Sequence, residues 1–231
     1  MNFSPLHYAA IATLVAIALF AFLWQRSETL KLNKKTHFVA NLLGALFSLL
    51  LTTRSIYSFL AGKNLTDILY AITTAIEAIL YLARKYPSDF EPNPKETVIC
   101  LVAAWGVLFV SFEPGVVLSP ALGTGVLGTG LILQLISKIY LGRSYALFAA
   151  NRGVVSSGPY RYVRHPIYLA YLFISVGFLL AHLSLYNIAI YGVVYTLQIW
   201  RIFNEERILS RSEDYTAYKR LVRYRLIPYV W

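Results

Sequence analysis

Cysteine is almost missing from this 231-residue chain: Cys100 stands alone, which excludes an internal disulfide. Histidine is nearly as scarce. His7, His37, His165 and His182 are scattered without metal-ligand spacing, which argues against a di-iron membrane enzyme and gives no candidate metal ligand. Charge is thin, at 14% of residues, where soluble domains carry nearer a quarter. The sequence holds no internal repeat and no low-complexity tract. No Lys or Arg precedes the first apolar segment, so the basic start of a secretory signal is lacking and that segment is expected to persist as a helix.

What is abundant is apolar sequence, 58% of the chain. Apolar segments run over approximately 6–24, 38–60, 65–83, 97–112, 116–141, 166–182 and 185–203. Several approach the roughly 20 residues that a helix needs to cross a bilayer. The expected fold is an all-α polytopic membrane protein of about seven transmembrane helices. Residues 1–137 supply the N-terminal helices, about five spans with the fifth ending near 141, and residues 138–231 form the functional part. Between the third and fourth segments, prolines at 87, 92 and 94 make 87–95 a polar linker that neither helix continues through.

Lys and Arg are distributed one-sidedly. Loop 25–37 holds four, loop 84–96 three, loop 138–165 five and the tail from Arg201 seven, while the opposite loops hold only Arg54 and Lys63. The positive-inside rule then puts the N-terminus outside and the tail in the cytoplasm. The net charge of +10 reads as loops attracting anionic lipid, and with no soluble domain to carry it, nucleic acid is not an expected partner. Oligomeric state leaves no mark in the sequence.

Two intramembrane features need interpretation. Asp67, Tyr70, Thr74, Glu77 and Tyr81 recur at helical spacing and share one face. They form either an interhelical hydrogen-bond stripe, the favoured reading, or the lining of a substrate or proton path. Gly123-Thr124-Gly125-Val126-Leu127-Gly128 matches G-x-G-x-x-G, but inside an apolar span rather than between a strand and a helix. Gly123, Gly125, Gly128 and Gly130 are expected to let helices approach closely.

Polar side chains gather at two places. The first is Ser156-Ser157-Gly158-Pro159-Tyr160-Arg161-Tyr162-Val163-Arg164-His165-Pro166-Ile167-Tyr168, where a basic loop enters an apolar segment. Pro159 biases Gly158 toward extended backbone, and Pro166 does the same to His165. Pro166 suits the first position of a helix, which leaves the N–H groups of Ile167 and Tyr168 free for a carboxylate. The second cluster runs from Arg201 to Arg207. Ser184 is a plausible N-cap after a very short connection, so 166–203 folds as a hairpin that returns the second cluster to the first. Gln198, Arg201 and Glu205 then share one helical face, with Glu206 adjacent.

Here the residues carry a resemblance. Ser157 to Tyr168, a hydrophobic hairpin, Glu205-Glu206, Tyr215-x-x-Tyr218 and Arg225-Leu226-Ile227-Pro228 together resemble the isoprenylcysteine carboxyl methyltransferase superfamily over roughly residues 138–231. The stretch between Glu206 and Tyr215 departs from that family in being shorter. The resemblance implies S-adenosylmethionine as cofactor in a cytoplasmic pocket. It implies cofactor contacts at Arg152, Gly153, Val154 and Val155, at Tyr160, at His165, Pro166, Ile167 and Tyr168, and at Glu205 with Glu206 beside it. Arg201 matches the arginine that faces the methyl acceptor, and Arg201 and Glu205 are the expected catalytic pair. The implied activity is methyl transfer to a lipid-like or lipid-attached acceptor at the membrane interface, most simply onto a carboxylate. An NADPH-dependent membrane reductase of the sterol type, and a non-enzymatic transporter or scaffold, are the alternatives.

Overall fold

The computed structural model describes residues 34–89, 94–112, 116–145 and 147–231. The first expected span, residues 25–33 of the loop expected at 25–37 and the centre of the polar linker lie outside the described residues. Among the described residues there are seven α-helices and no strand. They are α1 (Lys34–Gly62), α2 (Leu65–Ala83), α3 (Pro94–Trp105), α4 (Pro120–Leu141), α5 (Pro166–Ala181), α6 (Leu185–Leu209) and α7 (Glu213–Leu221).

Three stretches are long and apolar enough to cross a membrane: Asn41–Gly62, Leu65–Ala83 and Pro120–Ser144. Val98–Phe109 and Pro166–Ala181 are apolar but shorter. The spans hold much of their apolar surface outward. Leu46, Leu50, Ile79, Leu82 and Ile139 are all about half exposed or more, as lipid-facing side chains are. Polar side chains pair between the helices instead. Thr52 and Thr74 join α1 to α2 at 2.9 Å, and Ser58 donates to Asp67 at 2.9 Å.

Small residues bring α4 and α5 together. A Cβ at Gly177 would stand 2.4 Å from the Leu127 nitrogen, and one at Gly123 would stand 2.7 Å from the Gly177 carbonyl oxygen. Gly130 is equally tight against Ile174 and Ala170. Gly125 and Gly128 do not share this role: a Cβ at either meets nothing within 4 Å, because the 3.6-residue period turns them away from α5.

Segment ends differ from the apolar count for identifiable reasons. The fourth ends as an α-helix at Trp105 and tightens to a 3-10 turn over Gly106–Phe109, where Gly106 lies against Val194 of α6. The fifth starts at Pro120, because Val116 is spent on a two-bond backbone pairing with Leu183. The seventh runs on to Leu209, since Asn204 and Glu206 are buried there with partners. The short α5–α6 connection forms as the sequence suggests, with the Ser184 hydroxyl accepting from the Asn187 N–H at 3.1 Å.

α3 packs on α6 through polar pins. Asn187 exchanges two bonds with the Ser111 backbone, Gln198 donates to the Ala103 carbonyl at 2.8 Å, and Glu96 accepts from both Asn204 and Arg207. α2 packs on α4. Helices from the N-terminal part thus share one bundle with those of the C-terminal part.

Candidate active site

The two polar clusters meet. His165 is the N-cap residue of α5, Pro166 its first residue, and Tyr168 points from its first turn toward α6. The Tyr168 hydroxyl donates to Glu205 Oε1, and the Arg201 guanidinium lies over the Tyr168 ring, 5.4 Å from its centre. Arg201 Nη2 is 3.9 Å from Glu205, while its closer bonds go to Gln198 Oε1 at 3.1 Å and the Leu147 carbonyl at 2.8 Å. His165 Nδ1 is 3.8 Å from the other Glu205 oxygen. Glu205 therefore keeps capacity to accept more.

Its neighbour is fully committed. Glu206 accepts from Arg164 Nε at 2.8 Å, His165 Nε2 at 3.2 Å and Arg225 Nε at 3.1 Å, and is 4% exposed. Burial by itself raises this carboxyl's pKa, but the hydrogen bonds from His165 and Arg164 outweigh it and hold it at about 2. Arg164 also donates to the carbonyls of Val222 and Arg223, so Glu206 ties α6 to the loop before α5 and to the tail.

The tail completes the tie. The amides of Arg164 and His165 donate to the carbonyls of Tyr224 and Arg225, and the Tyr218 hydroxyl donates to the Tyr160 carbonyl at 2.7 Å. The shorter stretch after Glu206 still closes, because Ser212 caps α7 and buries Tyr215 and Tyr218 against Val222 and Val154.

These elements surround a cavity of about 690 Å³. It is lined at this end by Arg152, Gly153, Val154, Val155, Tyr160, His165, Ile167, Tyr168, Arg201 and Glu205. Pro166 and Glu206, expected as cofactor contacts, are not among the lining residues: Pro166 starts the helix and Glu206 is turned onto its three donors. Two backbone expectations fail. The Tyr168 amide is not free, since it donates to the His165 carbonyl at 3.1 Å. Gly158 is not extended but left-handed, with φ +59, in a turn where the Tyr140 ring would lie 2.6 Å from a Cβ.

Sequence reasoning missed several lining groups. Tyr215 and Tyr218 reach the cavity from the tail, and Gln134, Lys138 and Tyr171 line it deeper in the bundle. The Asp67–Tyr81 stripe makes the interhelical polar contacts of the favoured reading, and part of it also faces the cavity. Glu77 accepts from Lys138 Nζ at 2.8 Å and from the Tyr145 hydroxyl at 2.5 Å, and Tyr70, Thr74, Glu77 and Tyr81 also line the cavity. Among the polar atoms on lining residues that are buried without a partner are three that can donate, Arg201 Nε, Arg152 Nη1 and the Tyr215 hydroxyl. Such donors are costly to leave unmet, which suits a ligand rich in acceptors. Among the described residues no group of His, Cys, Asp and Glu is placed to hold a metal.

Fold and site define a helical membrane protein with a charged pocket at one end of an internal cavity. Residues 118–213, under half of the chain, match the family model of phospholipid methyltransferases. That match takes in α4, α5, α6 and the first pocket loop. No curated protein matches the chain.

Proposed function

We propose that the protein is an S-adenosylmethionine-dependent methyltransferase that modifies a lipid-like or lipid-attached acceptor, most simply on a carboxylate. The observation that carries this is the convergence of Tyr168, Arg201, Glu205 and His165 on one cavity within the segment that matches phospholipid methyltransferases. In this reading the helices up to about residue 141 form the membrane body, and 138–231 carries the chemistry on the cytoplasmic side.

The residues present fit the cofactor. The cavity has the size of small-molecule sites, roughly 300–1,000 Å³. Its unpartnered guanidinium N–H groups suit a carboxylate, and Glu205 suits an ammonium or sulfonium. Arg152 to Val155, Tyr160, His165, Ile167, Tyr168 and Glu205 would hold the cofactor, which supplies an activated methyl group. Tyr168 fixes the Glu205 carboxylate through its hydroxyl. Arg201, 5% exposed, is positioned by Gln198 and Leu147 and would grip the acceptor's carboxylate in a site drier than bulk water. Most of the rate then comes from orientation, because a carboxylate at neutral pH needs no general base.

The match to phospholipid methyltransferases favours a second acceptor class, a phospholipid amine. An amine must lose a proton, and Glu205 is the carboxylate with capacity to take it, since Glu206 is occupied. Radiolabelled methyl transfer into native membranes tests the whole reading. Label in the lipid or protein fraction that base releases as a volatile product marks a methyl ester, and base-stable label marks an amine. Absence of transfer at any acceptor loading refutes the activity.

A further inference from the structure

At the edge of the pocket just described, where Arg152 forms part of its wall, two buried arginines lie close together without an acid. Arg84 follows α2 and is 8% exposed; Arg152 lies in the loop after α4 and is 7% exposed. Arg152 Nε donates to the carbonyl of Lys85 at 3.1 Å, which sets it beside the residue that follows Arg84. Arg84 Nε is spent on Asn41 Oδ1, and its guanidinium lies 5.1 Å over the Tyr81 ring. The Nη1 atom of each arginine is buried with no partner. Among the described residues neither has a carboxylate within ion-pair distance; Asp89, the nearest acid along the chain from Arg84, faces Arg211 at 3.3 Å.

Guanidinium groups can cap the carbonyls at a helix end, and Arg143 does so here by donating to the Ala83 carbonyl at 2.9 Å. The Lys85 carbonyl, just past the end of α2, accounts for the Arg152 Nε bond but not for the two unmet Nη1 atoms. Buried charges are paired in folded proteins because an isolated one is expensive. Burial, with the charge of Arg84 added, pushes Arg152 down to about 9, the mark of a cation that lacks its counter-charge. Lys85 and Arg143, both exposed, widen the same positive rim.

We infer that Arg84 and Arg152 form a binding site for one phosphate-type oxyanion where the end of α2 meets the loop after α4. Two forked donors call for more acceptor oxygens than one carboxylate offers, and a phosphate supplies three or four. The site lies at the end of the bundle where the Lys- and Arg-rich loops gather, so a lipid headgroup and free inorganic phosphate are the two sources of the same chemistry. Arg152 also lines the cavity but Arg84 does not, so Arg84 is the member of the pair that separates this site from the cofactor pocket, and the inference stands whether or not the pocket serves a methyltransferase.

The test is the thermal midpoint of the purified full chain in detergent. It is titrated with inorganic phosphate against chloride at matched ionic strength, and with phosphatidylcholine bicelles with and without phosphatidic acid. The wild type is expected to gain a saturable rise from phosphate or from phosphatidic acid and none from phosphatidylcholine. A response to the lipid alone assigns a headgroup, and a response to phosphate alone a free anion. Arg84→Gln should weaken half-saturation at least about tenfold, the loss of a charge-assisted hydrogen bond. Arg84→Lys, a milder change should Gln unsettle the fold, should fall between. Lys219→Gln, on exposed α7, should titrate like wild type. No response to either probe, or equal weakening by Lys219→Gln, overturns the inference. It also fails if Arg84→Gln loses S-adenosylhomocysteine while keeping the wild-type phosphate response, since the pair would then serve the cofactor.

Discussion

At Glu206 three donors from two stretches of chain converge on one buried carboxylate. Removing one partner of such a pair strands the other in a site that cannot solvate it, at a typical cost of 3–5 kcal/mol. Arg164→Met is expected to lower unfolding stability by about that much, read by chemical denaturation in detergent. The same carboxyl makes stability depend on pH. Its folded value of about 2 lies below the ordinary 4.5, so the unfolded chain takes up the proton first as pH falls. The stabilisation is whole above about 4.5 and drains away toward about 2. Glu206→Gln should flatten the fall in stability across that acid window; an unchanged slope would show that Glu206 does not supply it. The adjacent pair Glu205-Glu206 was legible as a unit, but the division of labour was not. Which of two neighbours faces the cavity depends on the tail, and Arg225 arrives from 19 residues downstream.

Among the helices, the α4–α5 contact separates glycines that matter for packing from those that do not. Gly177→Ala puts a methyl carbon 2.4 Å from backbone and must push the two helices apart, whereas Gly128→Ala meets open space. Thermal unfolding should show a clear loss for Gly177→Ala. For Gly128→Ala it should show no loss, or a gain of up to about 1 kcal/mol from helix propensity. Equal effects would contradict the packing. Apolar runs, the Ser184 cap and Pro166 as a helix start were all readable, because they rest on local chemistry. Which glycines of the G-x-G-x-x-G stretch touch α5 was not, since that needs the partner's position. The end of the fourth segment was likewise hidden, being set by Val194 of a helix about 90 residues later.

Taken whole, the molecule is a bundle in which α2 and α3, outside the matched segment, complete walls for the matched part. Glu77 shows the coupling: Lys138 and Tyr145 both reach it from the C-terminal side. Sequence pattern gave this acid a helical face but not its two partners, which lie more than 60 residues away. Three stretches meet the length and composition of a membrane span, and the basic loops cluster by the positive-inside count. A reporter fused after Trp231 is expected to be cytoplasmic; a reporter exposed on the opposite face would reverse the orientation of the proposed pocket. The central claim is that the cavity end at His165, Tyr168 and Glu205 binds S-adenosylmethionine. Calorimetric titration of the detergent-purified protein with S-adenosylhomocysteine tests it most directly. Saturable binding by wild type, lost in Glu205→Ala and weakened in Tyr168→Phe with both variants folded, is the predicted result; unchanged affinity in Glu205→Ala would contradict it.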